Sequence, residues 1–138
     1  MTSSSGATSR SATIESLSIG DAPFVLADRQ GVVLAINAAF EAVYRWRAAD
    51  LVGTSLGRIL PEAFRMSHQL GFSRFQASGS SSVLGHPLRL RTLCGDGCEI
   101  VSEHFILAEE HKGEWVFGAT LTPLPDGTPA DQDEASTR

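Results

Sequence analysis

The chain has 138 residues, of which 42% are hydrophobic and 20% charged, and its formal net charge is −5. This length supports one modest hydrophobic core and argues against two domains. Concentrated Lys and Arg bind a phosphate backbone, so the absence of a basic cluster argues against nucleic acid as a partner. No apolar run approaches the roughly 20 residues that span a bilayer, and the first residues lack the apolar segment of a signal peptide. We therefore expect a cytoplasmic protein without a membrane partner.

The N-terminal segment is predicted to have two parts. Residues 1–12 are mainly Ser, Thr, Gly and Ala, which bury too little apolar surface to offset the entropy of ordering. We expect them to be disordered. Residues 11–17, SATIESL, favour one or two helical turns with Ile14 and Leu17 on one face.

A β-hairpin followed by a helix is predicted from residue 23 to residue 46. Phe24 to Leu26 and Val32 to Ile36 are apolar runs, and the turn residues Asp28 to Gly31 separate them. Asn37 ends the second run and precedes AAFEAVYR, so its side chain is well placed to cap a helix. The buried stripe of that helix would consist of Phe40, Val43 and Tyr44.

Several short helical turns and one longer helix follow. AADLVG predicts a short helix that ends at Gly53, and SLGRILP predicts a turn that stops at Pro61. The longest helical signal is 61–78, with Pro at its first position and Gly79 just beyond its end. One continuous face of this helix carries mostly apolar residues and would meet the core: Phe64, His68, Gly71, Phe72 and Phe75.

The last third of the chain alternates as β-strands do. Strands are predicted at 83–93, 99–108 and 114–121, and the connections CGDGC and EEHKGE are short and rich in turn formers. Residues 124–138 form an acidic tail, which contains three prolines when Pro123 is included, and we expect it to be disordered. Hairpins at both ends favour an α+β fold, in which a five-stranded antiparallel sheet carries the helices on one face.

Several motifs in this order resemble the PAS domain family, including the PAS domains of bacterial histidine kinases. The first motifs are the DRQG hairpin ending in Asn37 and the sequence motif A-x-D-L-V-G. A helix with R-x-x-H follows, then "L-G", a strand, "D-G" and a strand carrying Glu. The resemblance covers residues 13–123. It implies a PAS-like sheet around a ligand cavity, and a function in sensing or protein interaction within signal transduction.

Within that resemblance, the cavity wall would combine apolar residues with a few polar ones. The period of two along EIVSEHFILA puts Ser102, His104 and Ile106 on the cavity side, where the family mostly has apolar residues. Buried polar groups need partners, so either an internal hydrogen bond or a bound small molecule would engage them. The predicted cavity residues are Phe64, His68, Phe72, Phe75, Val83, Leu88, Leu90, Ser102, His104 and Ile106.

The resemblance also raises the possibility of haem as a cofactor. Haem-binding PAS sensors of the oxygen-regulated kinases ligate iron through a helix histidine, and His68 stands at the matching place. A neutral imidazole is a competent ligand. The alternative is an ordinary packed histidine, and Leu88 stands where those sensors place an Arg that responds to gas. Haem-based sensing through His68 is therefore an alternative to binding another small molecule.

The two cysteines do not indicate a metal or flavin site. Cys94 and Cys98 bracket a hairpin tip, no second ligand pair accompanies them for zinc, and a cytoplasmic setting disfavours a stable disulfide. The cysteine-and-asparagine wording of flavin-binding LOV photoreceptors is absent. We expect exposed, unreactive thiols, with a redox switch as the alternative.

No catalytic motif is present, so we expect a binding module and not an enzyme. By alternation, Phe105 and Leu107 are predicted to lie on the outer face of the sheet, and we expect Trp115 there as well. A contiguous apolar surface of this kind is seldom left exposed. The predicted interface of a homodimer therefore consists of Ile14, Leu17, Phe105, Leu107 and Trp115. A ligand-free dimerisation or adaptor module is the remaining alternative, beside contacts with a signalling partner protein.

Overall fold

The computed structural model describes residues 12–79 and 84–131, without the side chains of Phe72 and Gln76. The helices are α1 (Ile14–Ser18), α2 (Ala38–Tyr44), α3 (Ala48–Leu51) and α4 (Arg65–Ser78), and 3-10 turns cover Leu56–Ile59 and Glu62–Phe64. The strands are β1 (Phe24–Asp28), β2 (Val33–Ile36), β3 (Leu88–Leu93), β4 (Glu99–His111) and β5 (Glu114–Pro123).

The strands form one five-stranded antiparallel sheet in the order β2-β1-β5-β4-β3. The central strand β5 pairs with β1 through Leu26 and Gly118, and with β4 through Leu107 and Gly118. The N-terminal hairpin and the C-terminal strands thus meet in one sheet. The predicted α+β fold is confirmed.

Asn37 connects the first hairpin to α2. Its side-chain oxygen accepts hydrogen bonds from the amide of Phe40, at 2.9 Å, and from the amide of Phe24, at 3.0 Å. Its Nδ2 donates to the carbonyl oxygen of Ala22. The predicted helix cap is confirmed, and the same side chain also holds the start of β1 against the start of the helix.

The main core lies where α2, α3 and the 3-10 turns pack on β1, β2 and β5. Phe40, Tyr44, Leu51, Val33 and Leu121 are fully buried there, and further residues of this cluster are Val25, Trp46, Ile59, Leu60, Cys94 and Ala119. Toward β3 and β4 the sheet faces α4 instead, and the packing there leaves a cavity.

The N-terminal helix α1 packs against the opposite face of the sheet. A Cβ placed on Gly118 would lie 2.9 Å from the side chain of Ile14, so glycine at this position lets α1 approach β5 closely. Glu109 of β4 accepts a hydrogen bond from the amide of Ile14 at 2.8 Å. The hydrogen bond from this amide is the main cause that lowers the pKa of the Glu109 carboxyl, and the hydrogen bond from the neighbouring His111 is the second.

Some element boundaries differ from the predicted ones. The longer helix begins at Arg65 and not at Pro61, because Pro61 to Phe64 forms a 3-10 turn with a hydrogen bond from the amide of Phe64 to the carbonyl of Pro61. The strand β4 continues to His111, since Lys112 and Gly113 both have positive φ and close a two-residue turn.

The first residues of the acidic tail are ordered, contrary to the expectation of disorder. Residues 124–131 pack against the sheet: the amide of Leu124 donates to the carbonyl of Val101, and Ala130 is buried. The carboxylate of Asp131 accepts from the amide of Arg89 at 2.9 Å, at the open edge of β3. Composition alone misses these contacts because few residues make them. Residues 1–11 and 132–138, also predicted to be disordered, lie outside the described residues.

A helix long and apolar enough to cross a membrane does not occur within the described ranges.

Candidate functional site

The candidate site is a cavity of about 620 Å³ between α4, the 3-10 turns and the inner face of the sheet. Small-molecule sites in proteins commonly have volumes of about 300–1,000 Å³. The cavity therefore has room for a small molecule.

Two groups of side chains build most of the wall. The helical side contributes Phe64, Ser67, His68, Gly71 and Phe75. The sheet contributes Leu88, Leu90, His104, Ile106, Phe117 and Leu121. The wall is largely apolar because most of the residues that reach it from β3, β4 and β5 are aliphatic or aromatic.

The cavity brings together seven of the ten residues that the sequence placed in it. These are Phe64, His68, Phe75, Leu88, Leu90, His104 and Ile106. Val83 and the side chain of Phe72 lie outside what the structure describes. Ser102, also expected in the wall, is not among its residues.

Ser102 is fully buried between the sheet and α2 instead. Its Oγ lies 2.6 Å from the phenolic oxygen of Tyr44. Burial raises the pKa of Tyr44 to about 12, and the hydrogen bond to Ser102 opposes part of that effect. The inward orientation of Ser102 was predicted, but its partner is a protein side chain that no sequence pattern pairs with it.

His104 is the buried polar residue of the cavity wall, with 5% of its surface exposed. Its Nε2 lies 2.9 Å from Oγ1 of Thr92, which is itself fully buried. Burial, and secondarily the charge that His68 carries when protonated, lowers the pKa of His104 from 6.5 to about 3. His104 is therefore a neutral imidazole at physiological pH.

His68 faces the same cavity from α4. Burial lowers the pKa of His68 from its ordinary value, so this imidazole is also biased toward its neutral form. Clusters of three or more His, Cys, Asp or Glu that would suit a metal ion do not occur in the described part of the chain.

Two aromatic residues of the cavity wall, Phe75 and Phe117, belong to a small aromatic cluster with Trp115. The ring of Phe75 on α4 packs edge to face on the rings of Trp115 and Phe117, with distances between ring centroids of 4.9 Å and 5.0 Å. Trp115 therefore lies on the inner face of β5, and its expected place on the outer face was wrong. The alternation of Phe117 and Leu121 with the polar Thr120 along β5 is the signal that predicts the correct face.

Other wall residues were not predicted from the sequence. Among them are Val25, Ala27, Leu56, Ile59 and Leu60, which come from β1 and the first 3-10 turn. Their apolar character predicted burial, but burial in the core and burial at a cavity give the same sequence pattern. Only the packing distinguishes the two.

The two cysteines differ from each other. Cys98 is exposed, but Cys94 is buried within the core, which corrects the expectation of two exposed thiols. Burial raises the pKa of the Cys94 thiol. Both are free cysteines, and neither belongs to the cavity wall.

Comparisons with known proteins agree with this architecture. Residues 18–131 match the sequence profile of the PAS fold family. No curated protein sequence matches the chain.

Several solved structures share the fold. A PAS domain from Desulfitobacterium hafniense is 16% identical with a TM-score of 0.64, over 78% of this chain and 97% of that one. A PAS domain from a two-component sensor histidine kinase is 11% identical with a TM-score of 0.61, over 80% and 92%. The PAS domain of the Cronobacter turicensis quorum-sensing receptor RpfR, in complex with C12:0, is 14% identical with a TM-score of 0.58, over 79% and 99%. The sequence match over most of the chain, together with this architecture, shows that the chain belongs to the PAS fold family.

Proposed function

We propose that this PAS domain is a sensory module that binds a small molecule in its core cavity and signals through protein contacts. The observation that carries the proposal is the cavity of about 620 Å³ between α4 and the sheet, with an apolar wall and one buried imidazole. A wall of this composition, with few polar groups, is typical of small-molecule sites. The ligand-bound RpfR domain is a further precedent within the same fold.

The route from the cavity to a partner runs through the sheet and its flanking segments. Leu88 and Leu90 line the cavity, and Arg89 between them holds Asp131 near the end of the described chain. On the other face, β4 holds α1 through Glu109. A ligand that binds one packing of the cavity more tightly than another would shift the equilibrium between the two, and with it the arrangement of these flanking segments. The size of the shift is set by the difference in the ligand's affinity for the two states.

A homodimer is the partner arrangement that we propose for the outer face of the sheet, in a cytoplasmic setting. Phe105 and Leu107 remain partly exposed there, next to the short helix that holds Ile14 and Leu17. Bulky apolar groups in such a position are often covered by a second chain.

Native mass spectrometry of the purified protein tests the proposed ligand binding. We expect a non-covalent small molecule to be retained. A Cβ at Gly71 meets nothing within 4 Å, so Gly71→Phe should fill part of the cavity and lower this retention. The matched control is Ser73→Phe, which adds the same side chain at an exposed position of α4 and should retain the molecule. Equal retention by both variants would place the molecule elsewhere.

Haem-based sensing is the second candidate function. The specific observation in its favour is that His68 and His104, both biased toward the neutral form, face one apolar cavity. Protein purified with haem available should then show a Soret band that His68→Ala abolishes. A ligand-free adaptor is the remaining alternative, and it predicts a dimer that retains neither haem nor any other small molecule.

A further inference from the structure

The cavity wall carries no formally charged side chain among the described residues. Its polar side chains are Ser67, His68 and His104. A charged group on a ligand would therefore find no countercharge in this wall.

Two arginines of elements that line the cavity, Arg65 and Arg89, are engaged elsewhere. The Nε of Arg65 donates to the carbonyl oxygens of Gly57 and Leu60, both at 3.1 Å. Arg89 alternates with the wall residues Leu88 and Leu90 and pairs with Asp131 on the other side of the strand. Burying an ionised carboxylate without a countercharge is strongly unfavourable, so the wall disfavours a carboxylate ligand.

The ring of His104 has one nitrogen left for an occupant. Nε2 is engaged by Thr92, which does not line the cavity, and within residues 12–79 and 84–131 no hydrogen bond involves Nδ1. Among the described residues no buried side-chain nitrogen or oxygen atom lacks a partner, so an Nδ1 without a hydrogen bond is accessible from the cavity. A ligand that covers Nδ1 without accepting its hydrogen bond would incur the cost of an unsatisfied buried polar group.

The hydrogen bonds of Thr92 bear on whether the single N–H proton of the neutral His104 ring lies on Nδ1 or on Nε2. The Thr92 hydroxyl can donate to the carbonyl of Leu90 at 3.4 Å or to Nε2 of His104 at 2.9 Å. Hydroxyl hydrogen bonds are typically about 2.5–3.0 Å long, so the bond to Nε2 is the better one. In the other tautomer, Nε2–H would donate to the hydroxyl, which would then have only the long contact to Leu90 for its own proton. We therefore assign the hydroxyl proton to Nε2, so that the ring proton lies on Nδ1 and Nδ1–H is a donor.

We propose that the cavity binds an uncharged, largely apolar molecule whose carbonyl oxygen, as in a ketone or ester, accepts a hydrogen bond from Nδ1 of His104. The inference rests on the proposed function and narrows it to a ligand class. The same wall selects against the carboxylate of equal chain length.

Three probes of equal carbon number test this inference: 2-undecanone, undecanoate and undecane. Their affinities are measured at neutral pH by displacement of the uncharged fluorophore N-phenyl-1-naphthylamine. We expect the ketone to bind at least about tenfold more tightly than the carboxylate. It should bind roughly threefold to tenfold more tightly than the alkane.

Variants at residue 104 separate the hydrogen bond from the apolar fit. His104→Leu should bind the ketone and the alkane equally, with an alkane affinity within about threefold of that of the wild type. His104→Asn keeps an N–H donor and should keep a preference for the ketone. If His104→Leu does not fold, the ketone-to-carboxylate ratio of the wild type still decides between the ligand classes.

The contrary outcomes are distinct. Undecanoate binding as tightly as the ketone would overturn the neutral ligand class but leave the proposed function standing. An unchanged ketone preference in His104→Leu would overturn the role of His104. Failure of all three probes and the fluorophore to bind would overturn the proposed function itself, and with it this inference.

Discussion

Nε2 of His104 and Oγ1 of Thr92 lie 2.9 Å apart and join two buried side chains of the neighbouring strands β4 and β3. Both residues are polar at positions that face the apolar side of the sheet. Thr92 engages Nε2 of His104 and His104 engages the Thr92 hydroxyl, so a change at one position should affect the other.

His104→Leu should lower the free energy of unfolding by roughly 1–3 kcal/mol, because it leaves the buried Thr92 hydroxyl with only the 3.4 Å contact to Leu90. The double variant His104→Leu with Thr92→Val should recover part of this loss, since both polar groups are then removed. Denaturant unfolding of the wild type, His104→Leu, Thr92→Val and the double variant gives the coupling. Additive effects would contradict the pairing of the two side chains.

The same histidine should make the fold sensitive to acid. Its pKa is about 3 in the folded protein, against 6.5 ordinarily, so between these values the unfolded chain binds a proton that the folded protein does not. This contribution to stability is complete above pH 6.5 and is lost as the pH falls toward 3. The total is on the order of a few kcal/mol. The difference in unfolding free energy between the wild type and His104→Leu should therefore be smaller at about pH 4.5 than at about pH 7. Parallel curves would show that His104 is not the group responsible.

Tyr44 is the single tyrosine of the chain, so its ionisation is directly observable. With a folded pKa of about 12 against 10 ordinarily, tyrosinate absorbance should not appear near pH 10 while the protein remains folded. Because the folded pKa is the higher one, stability is lost as the pH rises from 10 to 12. Absorbance and circular dichroism recorded together check this, with Tyr44→Phe as the blank. Tyrosinate formation near pH 10 in a fully folded protein would contradict the buried pairing with Ser102.

The outer face of the sheet should carry the homodimer contact. Phe105→Glu places a charge within the partly exposed apolar surface and should shift the protein toward monomer in light scattering at high micromolar concentration. Glu103→Gln, at an exposed position of the same face, is the matched control and should remain dimeric. A wild-type protein that stays monomeric, or a Phe105→Glu variant that still dimerises, would show that this surface is not the interface.

Much of the fold follows from local sequence. Asn37 is followed by a helical pattern, and its cap needs only the amide of Phe40 three residues later. Gly79 ends α4 with a positive φ that its lack of a Cβ permits, and Lys112 with Gly113 closes the last hairpin. These features depend on neighbours in the chain, so sequence patterns predict them well. The alternation along β4 likewise predicted that Ser102 and His104 point inward.

Only the tertiary structure decided which partners those side chains meet. Ser102 pairs with Tyr44 and leaves the cavity wall, Trp115 packs on Phe75 from the inner face, and Asp131 returns to Arg89 at the sheet edge. Each contact joins residues far apart in the chain, and its free energy depends on distances that no local pattern encodes. The cavity beside His104 has the same origin, because an apolar residue has the same sequence signature whether it packs in the core or lines a cavity.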